Sequence, residues 1–497
     1  MILAFDIGTS AAKGALINRR GVIVATGTVA YGTRHGAGGQ VEQDPQDWWQ
    51  AVRRICHGFW AAGHGPSDVR AVALTGQMQD VIPVDGTGQA LGPALLYADT
   101  RAGAESAAIR RLLTEQGMAA ADVAGVDAAA PLAKLAWLQA HDPQRLGAAR
   151  RVLFSAKDYV LARLTGVLAT DATTAGTTGC YSLATGHWRR DWLKAIGLPV
   201  GLLPALAPAS AMVGQVSAAA EQATGIPTGT LVHGGMGDAA AATLAAGLTA
   251  PGAAYMYLGT TAWTATLVQG APVDSGGLRH LPFIAPGQVI RAAPILNAGS
   301  AHHWIMGLLG MGSQPDAGGA FDYTGFEDLL RSTPGRGGGV VFLPYLNGER
   351  CPVREQRAMG TFIYLGPTTT AGELAWAVME GICFALRQVF EALGAPASTL
   401  RLVGGMTRGA LFPRLVAEVL GVAVEVGALS DASGALAAAV PVAVNLGWYD
   451  DVEQAVRAWF PRPRRPLPPV EPGSENRYER LYQIYRQIYP LIAQVEG

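Results

Sequence analysis

The sequence predicts a mixed α/β fold built as two similar halves, and three observations carry the prediction. An apolar antiparallel meander opens the chain, a second start of the same kind appears midway, and helical and strand patterns alternate between them. The first meander is read from strand signals at Ile2 to Phe5, Ala11 to Ile17 and Val22 to Tyr31, with the turn Asn18 to Gly21 joining the last two. The second start, "AAYMYLGTTAWTATLV" at Ala253 to Val268, again sets an apolar strand before a glycine, a Thr260–Thr261 pair and an alternating strand. A duplicated architecture follows, with the boundary near Leu248 to Gly252 and domains expected over 1–248 and 249–497.

Within the first start, "AFDIGTSAAKGAL" ends a strand at Asp6 and turns through Gly8 and Thr9. Either the turn faces an anion with its amides and hydroxyl, or Asp6 is simply the turn former of a tight hairpin. Asp44 is a good N-cap, with Pro45 at the first helical position and Asp47 in the first turn, so Trp48, Trp49 and Val52 begin an amphipathic helix. Val69 to Thr75 reads as a buried strand. Arg408 to Gly421 reads as a helix with Leu411, Leu415 and Val419 on one face, Pro413 in its first turn and Gly421 as its stop.

A chain of 497 residues exceeds the size at which single cores stop growing, roughly 250 to 300 residues. With 37 basic and 38 acidic residues the net charge is −1, which leaves no electrostatic footprint for a nucleic acid or an anionic membrane and points to a small ligand. Cys56, Cys180, Cys351 and Cys383 have neither metal spacing nor a disulfide framework, as expected of core residues in a reducing compartment. Asp6 interrupts the N-terminal apolar run too early for a signal peptide, and the most membrane-like stretch, Leu436 to Leu446, is short and contains Pro441 and Asn445. A cytoplasmic protein without nucleic-acid or membrane partners is expected, its assembly as a homodimer left open.

Six stretches, in order and spacing, make the chain resemble the FGGY carbohydrate kinases, nearest their xylulokinase group. They are "DIGTSAAKGAL" at Asp6, "VEQDPQDWW" at Val41, "LTGQMQDVIPVD" at Leu74, "GGMGDAAAATLAAG" at Gly234, "FLPYLNGERCP" at Phe342 and "LVGGMTRGALFPRLVAEVLG" at Leu402; "PLAKLAWLQAHD" at Pro131 approaches a seventh. The resemblance implies two actin-like (ribonuclease H-like) ATPase domains, each with a five-stranded mixed sheet, closing on a cleft that holds ATP and a sugar. It implies transfer of the γ-phosphate to a ketose, D-xylulose or a related pentulose. Ribulose, a tetritol or gluconate is the alternative substrate. A non-catalytic actin-like ATP-binding protein is the alternative class, disfavoured because "LTGQMQDVIPVD" and "PYLNGERCP" match sugar kinases.

Phosphoryl transfer requires alignment, charge neutralisation and removal of a proton from the attacking hydroxyl. By itself Asp238 in "GMGDAAAA" is either a plain N-cap or a carboxylate set beside a substrate; the resemblance makes it the catalytic base and a substrate contact. The resemblance makes Asp6 the Mg2+ residue, acting through water. It puts Thr9 and Lys13 near the transferred phosphate, Lys13 having a solvated strand position as its alternative. It gives Gly259, Thr260 and Thr261 to the nucleotide phosphates, and Gly404 and Gly405 to the adenine and ribose, unless that pair is a mere strand-to-helix turn. Gln77, Met78 and Gln79 fall on the sugar side, with Asp99 and Arg101 either orienting the pocket or pairing with each other. Glu349 and Arg350 are expected to pair and brace the cleft loop. Gln79 stands where these kinases usually have His, and Ala239 where they have Asn, so the ketose is not fixed by the resemblance.

Overall fold

The computed structural model describes residues 1–497 except 120–122, 271–277, 313–320, 354, 356, 396, 428–429, 461–466, 468–474 and 497. In the N-terminal half, β1 (Ile2–Ile7), β2 (Ala11–Ile17) and β3 (Ile23–Ala30) form the expected antiparallel meander. Strand β4 (Ala71–Gly76), buried along its whole length, joins parallel to β1. Strands β5 (Met78–Val84) and β6 (Arg151–Ser155) pair antiparallel in a side sheet, with the register slipping between Met78 and Ile82. Strand β7 (Met212–Gln215) is antiparallel to β8 (Leu231–His233), and β8 and β9 (Met236–Gly237) both run parallel to β4, one strand position interrupted at Gly234 and Gly235. The order is β7-β8-β4-β1-β2-β3.

The C-terminal half repeats this plan. Strands β10 (Ala254–Leu258), β11 (Ala262–Gln269), β12 (Arg279–Pro282), β13 (Gln288–Ile295), β14 (Thr399–Val403) and β15 (Ala423–Val426) lie in the order β12-β13-β11-β10-β14-β15. Each half therefore holds the five-stranded core that the resemblance implies, with one further edge strand, β7 in the first and β12 in the second.

Helix α1 (Pro45–Ala61) starts as expected, Asp44 Oδ1 accepting from the Gln46 amide at 2.9 Å. Helices α2 (Pro131–His141), α3 (Ala156–Thr165) and the short α4 (Ala172–Ala175) follow. Helix α5 (Asp238–Ala245) opens on the residue expected to be the base. The helix expected from Arg408 begins only at Leu411, because Gly405–Thr407 forms a 3-10 turn; α6 (Leu411–Leu420) then ends at Gly421 with φ 67°.

Helix α7 (Ser433–Asn445) contains the alanine-rich stretch that reads as membrane-like, and no described helix is long and apolar enough to cross a membrane. Its role is visible in the packing. Helices α5 and α7 lie together between the two sheets, in one apolar cluster with Ala4, Ala15 and Ala73 of the first sheet and Tyr255, Ala265 and Ala292 of the second. Small side chains let helices approach two sheets closely, which explains the runs of alanine in both. The four cysteines are free and buried, as expected.

Candidate active site

The carboxyl ends of three adjacent parallel strands form the centre of the site. Asp6 of β1 pairs in register with Thr75 of β4, which pairs with Met236 of β9. One level further on, Gly76 is flanked by Ile7 and Gly237, so that Gln77 and Asp238 leave the sheet side by side. Ligands in open α/β sheets bind at this edge. Glycine is required here by contact: a Cβ on Gly76 would lie 2.8 Å from the Ile7 carbonyl oxygen, and one on Gly237 would collide with the Met78 sulfur.

Asp6 has no hydrogen-bond donor among the described residues, and burial pushes its carboxyl above the usual range, partly offset by Lys13, its cross-strand partner on β2. A Cβ on Gly434, at the start of α7, would collide with Asp6 Oδ2, so this helix of the C-terminal half reaches the carboxylate of the N-terminal half. An undersolvated carboxylate without protein donors, beside a glycine cradle, suits a hydrated divalent cation. The hairpin after it is fixed from outside. The Gly8 amide donates to the Ala11 carbonyl at 3.1 Å, the Tyr31 hydroxyl to Gly8 O at 2.5 Å and Gln43 Nε2 to Thr9 O at 2.6 Å. Thr9 and Lys13 are half-buried, and among the described residues the Asp6 carboxylate accepts none of the hydrogen bonds that close the turn.

Asp238 opens α5 with its carboxyl pushed up to about 7, first by desolvation and then by the charge of Asp6. Water reaches the side chain, which is exposed, although protein is dense around it. Both hold for a carboxylate on a cleft floor: it is open to a substrate and poorly hydrated. A carboxylate of this kind takes a proton readily near neutral pH.

On the sugar side, Gln77 is buried, its Nε2 donating to Gln43 Oε1 at 3.0 Å while its Oε1 has no partner. Met78 packs on Gly237. Gln79 has φ 68°, a strained conformation for a non-glycine residue, and its amide donates to the Ala129 carbonyl at 3.3 Å. Asp99 and Arg101 pair: Arg101 Nη2 reaches Asp99 Oδ2 at 2.6 Å and Glu42 Oε1 at 2.8 Å and lies over the Trp137 ring at 4.8 Å, while Asp99 also accepts from the Val41 amide. Ala239 is buried.

Several neighbours escape the sequence reading. Asp80, on the slipped part of β5, is wholly buried with neither oxygen hydrogen-bonded among the described residues, and desolvation raises its pKa well above the usual range, partly offset by Lys134. Lys134 of α2 donates to the carbonyls of Gln79 and Leu96 at 3.2 and 2.5 Å, with burial lowering its pKa to about 8. Lys157, Asp158 and Asp171 form a buried cluster behind Asp238. The one available signal was the pair of opposite charges inside the apolar run "LFSAKDYVLA".

In the C-terminal half the structure joins the two nucleotide elements. Tyr257 of β10 pairs with Val403 of β14, so the Gly259–Thr261 hairpin tip and Gly404–Gly405 leave adjacent parallel strands at one level. Gly404 has φ 113°, and a Cβ there would lie 2.5 Å from the Leu258 carbonyl oxygen. The carbonyls of Gly259 and Thr260 accept from the Gly299 and Ser300 amides at 2.9 Å, while Thr260 and Thr261 are exposed. Glu349 does not form a side-chain ion pair with Arg350. It braces the loop through the backbone instead, Oε1 accepting from the amides of Leu296 at 3.0 Å and Arg350 at 2.8 Å, and burial raises its pKa to about 7.

Two sheets of one plan thus each present glycine turns and hydroxyls at their strand ends, with the raised carboxylate of Asp238 at the edge of the first. Residues 1–245 match the FGGY family of carbohydrate kinases, N-terminal domain, and residues 254–446 its C-terminal domain. The chain belongs to the FGGY family of carbohydrate kinases, whose phosphoryl donor is ATP. A xylulose kinase from Streptomyces rubiginosus is 31% identical over 468 residues, covering 90% of each chain. One from Escherichia coli (strain K12) is 28% identical over 499 residues, covering 99% of this chain and 100% of that one. The crystal structure of xylulose kinase from Rhodospirillum rubrum is 28% identical, with a TM-score of 0.87 and 99% of both chains covered.

Proposed function

We propose that this carbohydrate kinase transfers the γ-phosphate of ATP to D-xylulose, giving xylulose 5-phosphate. The observation that carries the reading is the convergence of Asp6, Gln77 and Asp238 at adjacent strand ends, in a chain whose relatives are xylulose kinases. Asp238 takes the proton of the attacking sugar hydroxyl as the bond to phosphorus forms. Gln77 Oε1 and Gln79 orient the ketose, and Met78 shapes the pocket wall. Asp99 and Arg101, held to each other and to Glu42, keep the loop beneath it in place.

The segment 1–248 carries the sugar and 249–497 the nucleotide, with Gly259, Thr260 and Thr261 on the phosphates and Gly404 and Gly405 against the nucleoside. Thr9 and Lys13 lie toward the phosphoryl group in transfer. Mg2+, held by Asp6 through water, would supply neutralisation of the phosphate charge. The free, buried cysteines suit a cytoplasmic enzyme. An ADP-release assay over a panel of pentuloses, hexuloses, tetritols and aldonates tests the reading. D-xylulose should have the highest kcat/KM, and a higher value for gluconate or a tetritol would refute the assignment.

A further inference from the structure

A buried ion cluster lies behind Asp238. Lys157 Nζ, in the first turn of α3, lies 2.5 Å from Asp158 Oδ1, 2.9 Å from Asp171 Oδ1 and 3.3 Å from the Gly234 carbonyl oxygen. Asp171 Oδ2 accepts from the amides of Thr173 at 2.9 Å, Thr174 at 3.2 Å and Gly237 at 3.4 Å, and Oδ1 accepts from the Thr174 hydroxyl at 2.6 Å. Lys157 and Asp171 therefore grip both ends of the turn Gly234 to Gly237: its first carbonyl and its last amide. The next residue is Asp238.

Buried ion clusters are poor stabilisers, since apolar groups of equal volume often do as well. What this one supplies is geometry. Burial alone would raise the carboxyl of Asp171, but Lys157 and Thr174 override it and hold it below the usual range, so it is a committed acceptor. Asp171 is also the N-cap of α4, whose Thr173 hydroxyl donates to the Pro282 carbonyl at 2.8 Å, on β12 of the other half. One carboxylate thus connects the turn before Asp238 with a contact between the halves.

We propose that Asp171 is a positioning residue for Asp238, holding the Gly234–Gly237 turn in place and tying it through α4 to the C-terminal half. The inference rests on Asp238 being the base. Reacting groups misplaced by about 1 Å lose on the order of 100-fold in rate, so a single acceptor beneath the turn is enough to matter.

The experiment uses the full chain with ATP and D-xylulose. Asp171→Asn keeps the shape and leaves Asp158 to pair with Lys157, but its NH2 group must face either the amides of the turn, losing the acceptor there, or the Lys157 ammonium, setting donor against donor and loosening the grip on Gly234. Its kcat should fall roughly 10- to 100-fold with both KM values within about threefold. Thr173→Val should lower kcat roughly fivefold, the worth of one hydrogen bond. In an Asp238→Asn background neither substitution should reduce the residual turnover by more than about twofold, because residues acting as a unit are not additive. An Asp171→Asn kcat close to the parent, or a further large loss in the Asp238→Asn background, overturns the positioning role. An unaffected Thr173→Val variant overturns the tie between the halves. An Asp238→Asn variant with parental turnover overturns the base assignment and the positioning role together, whereas an inactive one beside a fully active Asp171→Asn overturns the positioning role only.

Discussion

Replacing Asp238 by Asn should abolish turnover and at the same time stabilise the free protein, and the second effect depends on pH in a defined direction. The folded carboxyl titrates at about 7, against 3.8 in an unperturbed chain. A shift of about 3 units, at about 1.4 kcal/mol each, penalises the ionised form by about 4 kcal/mol. Asp238 is exposed, so water screens much of this, and about 1–2 kcal/mol is the share that folding feels. The sign follows from proton uptake. Between these two values the folded state binds more protons than the unfolded one, so the parent loses stability as pH rises through about 7. Asn has no charge to desolvate and escapes the loss. In buffer without nucleotide and magnesium at pH 8, Asp238→Asn should melt roughly 2–8 °C above the parent, taking about 2–4 °C per kcal/mol for a half of this size. The difference should vanish toward pH 4. Turnover with D-xylulose should drop about 100- to 10,000-fold. Calorimetric scans at the two pH values, beside the coupled kinetic assay, read both effects. A variant that melts no higher than the parent at pH 8 would refute the desolvated carboxylate; one that turns over within a few-fold of the parent would refute the base.

Asp6→Ala should weaken the magnesium dependence of turnover far more than sugar binding, seen as a displaced Mg2+ titration with an unchanged ketose KM; an unmoved titration counts against Asp6. Gly434→Ala places a methyl group where Asp6 Oδ2 now lies, and should cut kcat at least about tenfold while the melting temperature changes by only a few degrees; unchanged kinetics would show that Asp6 has room to move. Gln79→His should raise the preference for D-xylulose, whereas Gln79→Ala should cost about 1–3 kcal/mol in kcat/KM by leaving a sugar hydroxyl unpaired. An unaltered substrate ranking in both variants would leave Gln79 only its hydrogen bond to Ala129.

The two halves were legible in the sequence because each opens on the same local signal, an apolar strand, a glycine and a hydroxyl pair, before a second strand in close register. Local chemistry also identified the start of α1, since Asp44 and Pro45 suffice for it. The head of α6 was misread by three residues, because a glycine pair followed by a 3-10 turn leaves no mark in helical periodicity. The supporting shell was the least legible. Gln43 donates to the Thr9 carbonyl and the Thr33 hydroxyl and accepts from Gln77, and Asp171 meets Gly237 across 66 positions, contacts that only the sheet order creates. Asp80 left no mark in the sequence either: a single aspartate ahead of Val81 carries no sign of burial, and it lies where the register of β5 slips between Met78 and Ile82.

The alanine content of the chain and the position of the two carboxylates have one cause. Strand β1 delivers Asp6 to the sheet edge, and α5 begins with Asp238 at the same edge, so two acidic groups converge, with Lys13 as the cross-strand partner of Asp6. Burial raises both carboxyls, and at Asp238 the charge of Asp6 adds to the rise, so a rigid core must hold the pair in a poorly hydrated place. Helices α5 and α7 supply that core by packing on each other and on both sheets through Ala240, Ala241, Ala435 and Ala439, all buried. Larger side chains at these positions would separate the helices from the sheets and withdraw Gly434 from Asp6. The small residues between the halves therefore set the distance at which the C-terminal half meets the acidic pair, and with it the closeness of donor and acceptor that phosphoryl transfer requires.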